Sequence, residues 1–176
     1  LARISLDLAT ARNQGSAAAQ DAVAAATRFG LGRGSTLYFD MESYSMSDTG
    51  FSAATVAFIQ SWTTGLGSAG YRSGVYGGVG SMMRDLARAA QQGAGGIPDA
   101  IWLAHWNDVQ TTRDTYSPQY VPDSLWTGSN RIRQYGGDRS ESWGGATINI
   151  DPNWVDTPLP GNPVQTDYGT AATGPG

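Results

Sequence analysis

The 176-residue chain contains no cysteine, no lysine and a single histidine, His105. Without cysteine there is no thiol nucleophile and no cysteine-ligated zinc. Without lysine there is no phosphate-loop lysine, no Schiff-base amine and no serine–lysine dyad. All 11 basic residues are arginine. One histidine rules out a two-histidine zinc motif and makes any serine triad depend on His105 alone. No metal and no cofactor are expected from this inventory. No apolar run approaches the length of a membrane span. A net charge of −4 leaves no basic face for nucleic acid. The chain starts at Leu1 without a charged-then-apolar signal segment, which either processing or a fragment boundary explains. What remains for acid–base chemistry is mainly carboxylates.

The elements alternate. Apolar spacing predicts a helix from about Asp7 to Phe29, ended by Gly30, Gly32 and Gly34. A strand at Thr36–Asp40 follows, then a polar loop and a helix from about Ser52 to Ala69. "YRSGVYGG" reads as a second strand, with a helix from about Val79 to Gln92 after it. "AIWLAHW" and "RIRQYGG" read as further strands, separated by an irregular stretch over 107–130. "GGDRSESWGG" reads as a turn and "ATINID" as a fifth strand. Such alternation indicates an α/β fold with a parallel sheet. Residues 1–156 form the expected domain. Residues 157–176, rich in Pro, Gly and Thr, are expected to be a linker or disordered tail.

The strand "LYFD" runs into two carboxylates, Asp40 and Glu42. Alternation sends Tyr38, Asp40 and Glu42 to one face and Leu37, Phe39 and Met41 to the other, which can pack beneath helices. The carboxylates then sit at the carboxyl end of the strand, where parallel α/β folds bind ligands. The bland alternative is a pair that caps a loop or meets surface arginines. Two residues along a strand are roughly 6–7 Å apart, which suits either a retaining or an inverting glycosidase pair. Asp151 likewise follows an apolar run, although Asp-Pro also simply starts turns. "GVYGGVGS" lacks the order and the lysine of nucleotide-binding loops and reads as a strand-to-helix connection. Aromatics gather near the strand ends: Tyr44, Tyr76, Trp102, Trp106, Tyr135, Trp143 and Trp154. Around a carboxylate cleft they suit the apolar faces of sugar rings. His105 has the opposite parity to Trp102 and Trp106, which gives it a structural role.

Five stretches together, "YFDMESY", "SWTTGLGSAGYRSGVYG", "IWLAHWN", "RIRQYGG" and "INIDPNWVD", resemble the actinobacterial glycoside-hydrolase-like domain known as domain of unknown function 1906. That group is similar to the family 25 glycoside hydrolases, the Chalaropsis-type lysozymes. The resemblance spans about Arg3 to Asp156 and implies a TIM-type barrel with an acidic pocket. It places the D-x-E motif on Asp40 and Glu42, with Glu42 as general acid and Asp40 supporting the charged sugar centre. It further places the late aspartate, expected as a third catalytic carboxylate, on Asp151, the aromatic strand on Trp102, Ala104 and Trp106, and the Q-Y pair on Gln134 and Tyr135. Tyr76 and Asn153 complete the expected substrate-binding set. The family's first-strand aspartate has no counterpart here, and about five strands are visible where a barrel has eight. The first strands are therefore expected upstream of Leu1, leaving Thr36–Asp40 and Thr147–Asp151 as the two open edges.

These readings converge on a secreted or cell-envelope domain that hydrolyses a cell-wall glycan of the peptidoglycan type, with a further domain expected beyond the tail. The alternative, from another class, is a non-catalytic carbohydrate-binding module that uses the same acidic, aromatic-lined pocket.

Overall fold

The computed structural model describes residues 3–41, 43–45 and 47–156. Glu42 and the tail 157–176 lie outside the described residues. Helix α1 spans Leu8–Arg28 and is capped by Asp7, whose carboxylate accepts from the Thr10 amide at 2.8 Å. Strand β1 (Thr36–Met41) follows, then α2 (Thr49–Ser68). Helix α2 starts earlier than apolar periodicity alone suggests, because Asp48 caps it through the Phe51 amide at 2.9 Å. Strand β2 (Arg72–Gly78) leads through a π-helical turn, Val79–Met83, into α3 (Arg84–Gln91). Strands β3 (Ala100–Ala104) and β4 (Arg131–Gln134) bracket the long connection.

Strands β1 to β4 pair in sequence order, all parallel, and β7 (Asn153–Val155) adds antiparallel to β4. The result is an α/β fold whose five-stranded sheet is open, with β1 and β7 as its edges. Its outer face carries Phe39, Val75, Ile101 and Leu103, which share one core with Ile59, Trp62 and Leu66 of α2 and Leu86 of α3. Each fully buried aliphatic side chain of this set contributes about 1.5–3 kcal/mol. Helix α1 crosses α2 closely: a Cβ on Gly15 would lie 2.1 Å from the Phe58 carbonyl oxygen, so that position admits no side chain.

Two expectations need correction. "ATINI" is not an edge strand of the main sheet, and "RSESW" is not a turn. They form β5 (Arg139–Trp143) and β6 (Ala146–Ile150), an antiparallel hairpin separate from the main sheet. Its two-residue loop, Gly144–Gly145, has positive φ at both positions (56° and 83°), the tight turn that suits right-twisted strands. The strand that closes the far edge is β7, which begins two residues after Asp151.

The 107–130 connection has no repeating pattern because polar groups organise it. Arg131 and Arg133, 1% and 0% exposed, lie on the outer face of β4 beside Ile101 and Leu103. Arg131 donates to the carbonyls of Leu125 (2.7 Å) and Pro122, and Arg133 to those of Arg113 (2.8 Å) and His105 (3.1 Å). Buried Asp114 accepts from the amides of Tyr116, Tyr120 and Val121. Among the described residues no helix is long and apolar enough to cross a membrane.

Candidate active site

The inner face of the sheet follows from register. Asp40 pairs with Tyr76, Tyr76 with Trp102, and Trp102 with Ile132, so one lateral row crosses four strands. The next row toward the carboxyl ends is Gly78, Ala104, Gln134 and Asn153. Tyr38, Asp40, Tyr76, Trp102 and Gln134 line a cavity of about 360 Å³ on this face. The expected parity of β1 therefore holds: Phe39 packs on Phe58 and Trp62 beneath the sheet, and Tyr38 points into the cavity. Trp102 meets Tyr38 and Tyr76 edge-on, with ring centroids 5.9 and 5.1 Å apart. Tyr38 lies over Gly74, where a Cβ would come within 2.5 Å of its ring. Burial, reinforced by Asp156 and opposed by Arg72, pushes the Tyr38 phenol above its ordinary pKa.

Gln134 is the hub. Its Oε1 accepts from the Tyr76 hydroxyl at 2.8 Å and from the Trp106 indole at 2.7 Å. An indole N–H only donates, so the atom facing Trp106 must be the amide oxygen. The amide nitrogen is thereby turned to Asp151, donating to Oδ2 at 3.2 Å. The other Asp151 oxygen accepts from the Asp138 amide at 3.0 Å. Asn153 accepts from the Trp102 indole at 2.7 Å and donates to the Asp151 carbonyl at 2.8 Å. Trp106, 53% exposed, rests against Gly137, where a Cβ would meet its ring at 2.4 Å.

Of the sequence-nominated residues, Asp40, Tyr76, Trp102 and Gln134 share the cavity. Asp151, Asn153 and Trp106 each connect to it through one hydrogen bond. Three strand spacings put β1 and β4 roughly 14 Å apart at the backbone. Asp40 lines the cavity from β1, whereas Asp151 does not line it and meets it through Gln134 of β4. Tyr135 is buried and does not line the cavity; its hydroxyl accepts from Gln110 at 3.2 Å. Glu42, the intended general acid, lies outside the described residues. Tyr38, which alternation sends to the inner face, is a further wall of the cavity.

Other hollows flank the fold. One, about 400 Å³, lies at the carboxyl ends of β1–β3 among Ser43, Gly78, Ser81, His105 and Tyr116. His105 stacks on Tyr116 (4.2 Å, 6°), facing away from Trp102 as its parity predicts. Burial and the Arg133 charge, partly offset by Asp114, hold its pKa below the ordinary value. The Tyr44 hydroxyl donates to buried Asp85 at 2.8 Å, tying the segment after β1 to α3. Burial and that carboxylate raise the Tyr44 pKa. The larger hollow, about 500 Å³, is a helix-side cleft that includes Arg12, Arg84 and Arg88. It is lined by residues of α1, α2 and α3 and by Gln92, and by no residue of the sheet, so its size does not make it the site.

A family model described as "Rv2525c-like, glycoside hydrolase-like domain" matches residues 5–155. No curated protein matches the chain. Among solved structures, the crystal structure of an uncharacterized B. stearothermophilus protein is similar at 23% identity, over 81% of this chain and 62% of that one, with a TM-score of 0.47. The chain thus spans less than two thirds of that protein's length.

Proposed function

The chain belongs to the Rv2525c-like family of glycoside hydrolase-like domains, and from that premise we propose that it hydrolyses a glycosidic bond in a cell-wall glycan of the peptidoglycan type. The observation that carries the reading is the inner-face row Asp40–Tyr76–Trp102, a carboxylate set beside aromatic rings in one concave site. Sugar rings offer apolar C–H faces for the rings and hydroxyls for Gln134. The anomeric centre, which gains positive charge in the transition state, is stabilised by a carboxylate.

In this reading Glu42 protonates the leaving oxygen, and Asp40 supports the developing charge or orients the substrate's N-acetyl group. Glu42 must then hold a proton near neutral pH, which an apolar setting and a neighbouring carboxylate favour. Asp151 acts through Gln134: it fixes the amide so that its oxygen holds Tyr76 and Trp106 in place. Tyr76, Trp102 and Trp106 form the sugar-binding surface, with Asn153 orienting Trp102. The D-x-E spacing supports kinship with the family 25 glycoside hydrolases. The sequential parallel run β1–β4 matches an arc of a TIM-type barrel. Action on cell-wall glycan implies a secreted or envelope location.

Release of reducing ends from purified peptidoglycan tests the proposal. Loss of release in both Glu42→Gln and Asp40→Asn supports it. Glycan binding with no turnover in the parent protein favours a binding module instead.

A further inference from the structure

Hairpin β5–β6 buries little of its apolar surface. Trp143 is 72% and Ile148 53% exposed. An isolated two-stranded hairpin is marginal in water, so holding a large indole in solvent at its tip does nothing for the fold. Register places Arg139, Glu141 and Trp143 on one face with Ala146, Ile148 and Ile150. The other face is polar, with Ser142 and Thr147 hydroxyls 2.8 Å apart. Small Ala146 stands opposite Trp143 and leaves the ring uncovered. The indole is also oriented, because its Nε1 donates to Glu141 Oε2 at 3.0 Å. An aromatic ring held in place beside a carboxylate acceptor can stack on a sugar face and accept from its hydroxyls, losing little rotamer freedom on binding.

The hairpin is continuous with the candidate site. Its base is held by the Asp138 amide on Asp151, which is bonded to Gln134 in the cavity. Arg139 reinforces that base, 3.7 Å from Asp108 and over the Tyr135 ring. Exposed Trp106 rests on Gly137 at the foot of β5. From Arg139 the strand carries Trp143 roughly 13 Å outward. A ligand touching both the cavity and Trp143 must therefore be a chain of several sugars.

We propose that the hairpin is a second, distal glycan subsite with Trp143 as its stacking platform, so that the protein takes polymeric strands in preference to short fragments. This inference rests on the glycan reading above. The test titrates two probes, the peptidoglycan disaccharide unit and long uncrosslinked glycan strands, against protein carrying Glu42→Gln so that turnover does not shorten them. Adding Trp143→Ala is expected to weaken strand binding about tenfold, a loss of the size seen for an aromatic anchor. Disaccharide binding should stay unchanged, and Trp143→Phe should keep most of the strand affinity. Equal strand affinity with and without the indole, in a protein that does bind strands, overturns the subsite and leaves the glycan reading standing. Strand affinity unmoved while self-association falls assigns the face to a second copy and also overturns it. Binding of neither probe by the parent overturns both.

Discussion

Gln134 joins Tyr76, Trp106 and Asp151 in one hydrogen-bond network, and changing its charge tests that geometry. Gln134→Met removes the acceptor for Tyr76 and Trp106 and the donor to Asp151. These partners reach water, so the loss should be about 1–2 kcal/mol and independent of pH. Gln134→Glu keeps an acceptor for the two donors but sets a second carboxylate against Asp151. At the present 3.2 Å separation, two unit charges repel by about 1.3 kcal/mol in water and about 5 kcal/mol at a dielectric of ~20. Gln134 is buried and Asp151 exposed, so the repulsion falls between these limits, about 1–5 kcal/mol. The sign follows from linkage. The folded pair binds a proton more readily than the unfolded chain, whose glutamate titrates near ~4.3, so the deficit is present at pH 7 and shrinks as pH falls through the raised folded value. Urea denaturation of parent and both variants, across pH 7 to about 4.5, reads this out. A Gln134→Glu deficit that stays constant over that range would refute the contact between Gln134 and Asp151.

Three further outcomes are expected. Gly74→Ala drives a Cβ into the Tyr38 ring, which should cost about 1–3 kcal/mol by overpacking, and adding Tyr38→Ala should recover most of it in the same melts. Tyr44→Phe removes a hydrogen bond to the buried Asp85 carboxylate and should cost about 1.5–3 kcal/mol, with reduced glycan turnover because it frees the segment after β1. Burial and the Arg133 charge lower the His105 pKa, so its folded value lies below the unfolded one. Stability is therefore full above the unfolded pKa and declines as pH falls through the folded one. His105→Gln should flatten that decline in thermal melts recorded between pH 7 and about 5.

How much could be read in advance varied with burial. The β1 face assignment came out of simple alternation, because Phe39 must enter the core while Asp40 cannot. The strand–helix alternation from α1 to α3 was legible for the same reason: every element has one apolar side. The hairpin was not legible as such, since Ser140, Ser142 and Asn149 face solvent on a ribbon with little to bury, and burial alternation never arises. "WGGA" did hold the signal, two adjacent glycines between residues able to pair. The 107–130 connection hid its order in side-chain-to-carbonyl bonds from Arg131 and Arg133, which leave no periodic trace in the intervening sequence. Within the candidate site, Asp40 came from strand alternation and Tyr76 from the gathering of aromatics near strand ends, while Trp102 and Gln134 came from the family resemblance. The role of Asp151 behind Gln134 needed the three-dimensional hydrogen-bond network.

The central claim is that this chain breaks a glycosidic bond with carboxylates, and one measurement addresses it directly. Purified peptidoglycan is digested in heavy-oxygen water and the soluble fragments are analysed by mass spectrometry. Glycosidic hydrolysis predicts new reducing ends that carry solvent oxygen at the anomeric carbon, absent from digests with Glu42→Gln. No labelled reducing end from the parent protein, or label only at new peptide termini, would contradict it.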